Sequence, residues 1–309
     1  MISTRLTSKI CLFVISLAFT QPILAAENPT GERWFQVEMT LFTHENSNLD
    51  MEIWSPTKLS LGFPERLRKL RKLSDFLQLD DWSILTGVVQ PVAIAASAIP
   101  ADAVPSAITP VQPLVGPRPY APGESFRLPD FERQSFLALL AQDHDFTGSN
   151  RALSQSSAYR VLFHNAWRQP MTRRNGATAV VVSGGRTYNQ RSELEGSVSL
   201  YFNNTEDRVV FDSNVWLTSF SAAQSSEEDW SLPVLPAVML AASADENAEA
   251  VEYHINRIIQ LRQVRDMRSG EFHYIDHPAM GILVQITPYV VPEIPVPGVE
   301  ELVDPLQFQ

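Results

Sequence analysis

Cysteine is almost absent: the 309 residues hold one, Cys11. It lies inside an N-terminal apolar run and not at its end, so it is not placed to become the acylated first residue of a lipoprotein. Removal of that run would leave no thiol, which excludes disulfides, thiolate metal sites and cysteine nucleophiles together. Long apolar runs are missing as well. Beyond the N-terminus no stretch reaches the ~18 uninterrupted apolar residues of a membrane-spanning helix. Cations are scarce, with 24 Lys plus Arg against 35 Asp plus Glu and a net charge of -11. That balance argues against general nucleic-acid binding, which needs clustered cations to neutralise phosphates, and gives no overall attraction to an anionic membrane. The nucleophile elbow of a serine hydrolase is absent too. Ser183-Gly184-Gly185 follows a strand-like run, but the position two residues before the serine is Val181 where the elbow needs glycine.

At the N-terminus, Arg5 and Lys9 precede the apolar run Ile10 to Phe19, and Ala25 and Ala26 stand before Glu27. This is the three-part pattern of a secretory signal, with export and cleavage after Ala25 or Ala26 expected. Without Arg5 and Lys9 the balance becomes 22 cations against 35 anions. The length allows one large or two modest domains, and 44% apolar residues suffice for a substantial core. The division expected is a signal peptide over 1–26, an N-terminal strand and helix over 27–89 packing on the main domain, a Pro/Ala-rich flexible insertion over 90–124, a main α+β domain over 125–288 and an extended tail over 289–309. The insertion is defined by Pro91, Pro100, Pro105, Pro110, Pro113, Pro117, Pro119 and Pro122, which interrupt any regular hydrogen-bond ladder.

Alternation of apolar Phe35, Val37, Met39 and Leu41 with Gln36, Glu38 and Thr40 predicts a half-buried strand over 34–42. Leu67, Leu70, Leu73 and Phe76 recur at helical intervals behind Pro64, predicting an amphipathic helix over 64–76. Helical spacing is also present over 131–142 and over 148–167, where Arg168-Gln169-Pro170 would stop it. Strands are predicted at 177–183, 194–202 and 208–220, the last two joined by the turn residues Asn203 to Asp207. Residues 248–267 fit helix or strand, with the second half expected to be a strand pairing with 270–275. The fold class implied is α+β: a mainly antiparallel sheet with a few flanking helices.

The densest chemistry lies between Arg262 and Pro288, where Arg265, Arg268, Glu271, His273, Asp276 and His277 sit among apolar runs. Four of these are competent metal ligands. On a strand, however, Glu271 and His273 face one way and Asp276 the other, which splits the set. A hairpin turning at or beside Ser269-Gly270, with its polar groups satisfying one another, is the plainer reading, and a docking face on that hairpin the functional one. Arg66, Arg68, Lys69, Arg71 and Lys72 form the one strongly basic patch. It is either a solvated helix face or a dock for the carboxylates of a peptide or of an acidic partner. Trp54, Trp82 and Trp167 could stack on sugars, although tryptophans more often fill cores. Gly184-Gly185-Arg186 is a weak anion-nest pattern.

One family resemblance spans most of this chain. Met267-Arg268-Ser269-Gly270-Glu271, His273-Tyr274-Ile275-Asp276-His277-Pro278 and Gly281-Ile282-Leu283-Val284 resemble the C-terminal signature of the CsiV family. Trp34-Phe35-Gln36-Val37-Glu38 resembles it as well, as do Tyr159-Arg160-Val161-Leu162 with His164, Ala166, Trp167, Arg168, Gln169 and Pro170, and Glu193-Leu194-Glu195-Gly196. The resemblance does not include residues 90–124. It implies a non-enzymatic periplasmic protein that binds peptidoglycan and supports cell-wall synthesis and cell shape. The implied partner is the outer-membrane lipoprotein that activates a bifunctional penicillin-binding protein. No cofactor, catalytic residue or transmembrane segment comes with the resemblance. The alternative from another class is a metal-assisted wall hydrolase using Glu271, His273 and His277.

Overall fold

The computed structural model describes residues 31–46, 54–76, 116–118, 128–222, 229–240 and 251–294. Its strands are β1 (Trp34–His44), β2 (Leu67–Arg68), β3 (Tyr159–Pro170), β4 (Ala179–Tyr188), β5 (Arg191–Phe202), β6 (Val209–Ser221), β7 (His254–Met267), β8 (Phe272–His277) and β9 (Met280–Tyr289). Helices are few, a single turn α1 (Leu73–Phe76) and α2 (Thr147–Gln155) besides short 3-10 turns. The protein is therefore α+β with mainly antiparallel sheet. One sheet runs β3-β1-β9-β8 and the other β2-β4-β5-β6-β7; among the described strands β2 pairs with β4 in parallel and the rest pair antiparallel.

The two sheets share one core, which decides which residues point inward. Phe35, Val37, Met39 and Leu41 of β1 join Ile282, Val284 and Ile286 of β9 from the first sheet. Val180 and Val182, Leu194 and Val198, Phe211 and Val215, Ile259 and Leu261 join from the second. Each set follows the period of two that puts alternate side chains on one face. A smaller cluster of Trp216, Trp230 and Ile258, with Trp54 and Phe63 packed on it, covers the outer face of the second sheet.

The strands at 34–42, 177–183, 194–202 and 208–220 stand where alternation puts them, and Asn203 to Asp207 does turn β5 into β6, its ends closed by the Asn203 N–H to the Arg208 carbonyl at 3.1 Å. Three other expectations are corrected. Residues 64–76 are not a helix beyond Leu73–Phe76. Leu67 and Arg68 pair in parallel with Ala179 and Val180, and Arg71 exchanges backbone hydrogen bonds with 136–138. Residues 131–142 are not a helix either: Phe136, Ala138 and Leu139 carry that strip onto β3, the Phe136 N–H reaching the Arg168 carbonyl at 2.9 Å. Pairing partners on both sides outweigh the helical spacing of four apolar residues, and the basic segment closes the seam between the sheet edges β3 and β4. Third, helix stops at Gln155 and residues 159–170 form β3, paired along its length with β1.

The Ser269-Gly270 turn does not close a hairpin. β7 is the edge of the second sheet and β8 the edge of the first, so the turn carries the chain from one sheet to the other. Gly270 has φ +81 and its N–H donates to the Ile286 carbonyl at 2.8 Å. β7 is strand from His254 onward; residues 248–250, the signal region with Cys11, Trp82, the tail beyond 294 and nearly all of 90–124 lie outside the described residues.

Candidate functional site

The basic segment brings its cations to the surface because its backbone is extended. Arg66, Arg68, Lys69, Arg71 and Lys72 are all exposed, while Leu70 between them is buried. Arg68 and Arg71 line a recess of about 400 Å³ together with Arg133, Glu32, Trp34 and Val291. The Arg68 guanidinium lies 4.9 Å from the Phe136 ring centre, and that of Arg71 5.1 Å from Phe76. Ring faces hold these groups without neutralising them. Among the described residues neither meets a carboxylate. Arg133 differs, being held by Asp130 at 3.0 Å and by the Pro292 and Glu293 carbonyls at 2.8 and 2.9 Å. Arg66 is spent on the Asn175 carbonyl. Two guanidiniums that are not ion-paired among the described residues, with Glu32 the one carboxylate of the lining, are suited to bidentate capture of an external carboxylate. Trp34 is buried and serves as wall, not as a stacking platform.

A second recess, of about 320 Å³, is lined by Arg160, Arg186, Glu45, Glu193, Tyr188 and Thr218 among others. Its charges are already matched. Arg160 reaches Glu193 through both terminal nitrogens, at 2.9 and 2.6 Å, and Glu45 at 3.1 Å. The Glu193 bond, against the cost of burial, raises the guanidinium above its ordinary range. Burial pushes the Glu193 carboxyl up, but the Arg160 hydrogen bond and the Arg186 backbone N–H outweigh it and leave the carboxyl below the usual range. At the Gly184-Gly185-Arg186 turn a single backbone N–H, that of Arg186, meets an anion, the chain's own Glu193, whose Oε2 accepts it at 3.1 Å. The Thr218 hydroxyl in this recess is buried and has no hydrogen-bond partner among the described residues.

The residues singled out between 262 and 288 do not converge. Arg265 donates to the Tyr274 carbonyl at 3.3 Å, His273 to the Arg268 carbonyl at 3.3 Å, and Arg268 stands 3.7 Å from Glu271 in an exposed pair. Asp276 accepts the Tyr274 hydroxyl at 2.5 Å; burial, then this bond, raises the Tyr274 phenol above its usual range. His277 lies at the other end of β8, accepting the Ala279 N–H at 3.2 Å, with its ring 6.0 Å from Trp54. Four residues of strand separate His273 from His277, roughly 13 Å at strand rise, so Glu271, His273 and His277 do not share a metal. Trp167 is fully buried and Trp54 packs on the core, so both fill space.

One constellation escapes the sequence altogether. Glu38 on β1, His164 on β3 and His144 on the strip before α2 each present a ligand-type atom within 4.8 Å of the others. The polar side of β1 is not solvated as alternation implies, because the segment 138–155 lies over it and leaves Glu38 2% exposed. No spacing motif links positions 38, 144 and 164; the only signal was a lone acid in a strongly apolar strand.

Compared with known proteins, residues 9–289 match the family model described as peptidoglycan-binding protein, CsiV. The chain belongs to the CsiV family. The match runs from the N-terminal apolar segment through the end of β9, so both sheets and the lining arginines of the recess fall inside the CsiV span. No curated protein and no solved structure matches. Within this CsiV chain, Arg68 and Arg71 present charge outward and Glu38, His144 and His164 gather inward. The polar groups of 265–277 are dispersed along the edges of two sheets.

Proposed function

We propose that this protein acts in the periplasm as a non-catalytic adaptor that holds peptidoglycan at the Arg68–Arg71 recess and supports wall synthesis. The observation that carries the reading is the pair of ring-backed guanidiniums, neither in an ion pair among the described residues, in a member of a peptidoglycan-binding family. Stem-peptide carboxylates have the charge and planar geometry to meet them. A second surface meets the outer-membrane lipoprotein that activates a bifunctional penicillin-binding protein. The edge strand β8 suits that role, since Phe272 and Tyr274 are 50% and 43% exposed beside Arg265 and Arg268. An exposed edge with aromatic side chains and flanking cations is a common form of protein contact.

Co-sedimentation with isolated sacculi tests the wall-binding half. Exposed guanidinium contacts contribute about 0.5–1 kcal/mol each, so Arg68→Ala with Arg71→Ala should weaken retention about 5- to 30-fold. Binding should also fall as salt rises from about 10 to 150 mM, where the screening length contracts to about 8 Å. Retention unchanged by the double substitution at an unaltered melting temperature would remove the recess from the reading. Muropeptide release during the incubation would favour a hydrolase instead.

A further inference from the structure

We propose that Glu38, His144 and His164 form a binding site for a divalent cation of the zinc class. The three come from separate parts of the chain. Glu38 and His164 belong to neighbouring strands of the first sheet, and His144 to the strip that crosses over them. Each contributes one ligand-type atom, and these atoms lie within 4.8 Å of one another.

The surroundings orient all three. Glu38 is 2% exposed, and its carboxylate is fixed by backbone N–H groups, Asp145 on Oε2 at 2.5 Å and Phe146 on Oε1 at 2.9 Å. His164 Nε2 stands 2.7 Å from the same Oε1. His144 Nε2 lies 3.2 Å from the Leu139 carbonyl, which can only accept. That nitrogen therefore carries the proton and, in the neutral ring, the other keeps a lone pair. A ring nitrogen bonded to a backbone carbonyl is the usual outer support of a metal-binding histidine. The two imidazoles meet edge to face, with centres 4.6 Å apart at 77°.

Donor chemistry chooses the ion. Two imidazole nitrogens and one carboxylate oxygen suit zinc and its neighbours, whereas calcium and magnesium select all-oxygen sets. A simple ion pair between Glu38 and His164 would account for two of the residues; the second imidazole, held by the Leu139 carbonyl, adds a further donor atom within 4.8 Å of theirs. The His164 side chain is 21% exposed, so one side of the cluster opens to solvent, where water would complete a four-coordinate shell. Bound metal would tie the strip 141–146 to β1 and β3.

The test uses chelator-treated protein titrated with zinc chloride, read by calorimetry and by elemental analysis after dialysis. Uptake of about one equivalent, a higher melting temperature with zinc, and visible absorption typical of tetrahedral cobalt on replacement are the expected results. His144→Ala leaves the Glu38–His164 bond intact but removes the Leu139 hydrogen bond. Its metal-free melting temperature should therefore fall by only a few degrees, about 2–4 °C. Zinc affinity should fall at least about tenfold, and zinc should no longer raise the melting temperature. His273→Ala should bind zinc as the parent does. No uptake by the parent, or equal uptake by His144→Ala, would overturn the proposal. Sacculus binding does not enter the outcome, so the two readings fail separately.

Discussion

Replacing Gly184 with alanine tests how closely the two sheets approach at their seam. A Cβ at this position would stand 2.0 Å from the Leu162 carbonyl oxygen and 2.9 Å from its carbon. Even the close carbon–oxygen contacts found between strands run about 3.3–3.6 Å, so β3 and β4 would have to separate by about 1.3–1.6 Å. Leu162 is the unpaired residue where β3 slips its register against β1 between Leu41 and Phe42, and the register of β4 shifts after Gly184. The obstacle is backbone, which has no rotamer to yield. A gap of 0.5–1 Å already forfeits about a quarter to a half of the local dispersion attraction. Overpacking of this kind costs about 1–3 kcal/mol, and a rigid obstacle places Gly184→Ala near 3. For a domain of this size the melting temperature should fall by about 6–12 °C, at roughly 2–4 °C per kcal/mol. Gly148→Ala is the control: it lies in α2 with nothing within 4 Å of the added carbon, and should leave stability unchanged or raise it by up to about 1 kcal/mol. A fall of less than about 2 °C for Gly184→Ala, measured by thermal circular dichroism, would refute the close crossing.

The Glu193 carboxyl, held below its usual range in the folded chain, contributes stability that is complete above the ordinary carboxylate range and is lost as pH falls through the lower folded value. Melting temperatures taken from pH 6 down to pH 3 should therefore show the parent losing its advantage over Glu193→Gln as acid is added; parallel curves would contradict this. Trp167 is fully buried with its indole N–H on Gln169 Oε1 at 2.8 Å, and Gln169 is itself 2% exposed. Trp167→Phe should cost about 2–4 kcal/mol in denaturant unfolding, because it shrinks the ring and strands a buried acceptor. Adding Gln169→Met should recover part of that loss, and a double variant weaker by the full sum would show that the hydrogen bond was not the issue.

Strands that alternate against solvent or core were legible in the sequence, and β1, β4, β5 and β6 stand where that pattern puts them. Failures cluster where tertiary pairing competes with a helical spacing. In 64–76 the apolar residues recur every three positions, yet Leu70 alone is buried, since β4 on one side and 136–138 on the other supply hydrogen-bond partners that a helix would forgo. In 159–170 the bulge at Leu162 brings that residue into one core with Phe163 and Trp167, while Ala166 is buried opposite Glu38, so no single period describes it. The turn at Ser269-Gly270 was visible, but its consequence was not: consecutive strands can belong to different sheets, and local residues do not reveal which. The basic cluster kept its exposure though not its helix. Glu38, His144 and His164 meet only through the strip laid over β1, which no local pattern encodes.

β1 is flanked on one side by β3 and on the other by β9, with Thr40 opposite Leu283. The ribosome makes those two residues far apart in time, at about 5–20 residues per second, so the interval is on the order of 10–50 s. Throughout it β1 carries one edge with no partner, a state prone to pairing with the wrong chain. Such order of synthesis favours late, all-at-once closure over stepwise growth, and slow folding with it. The first sheet thus cannot be completed until β9 has been made, and a polypeptide threaded across a membrane before it folds meets the same condition.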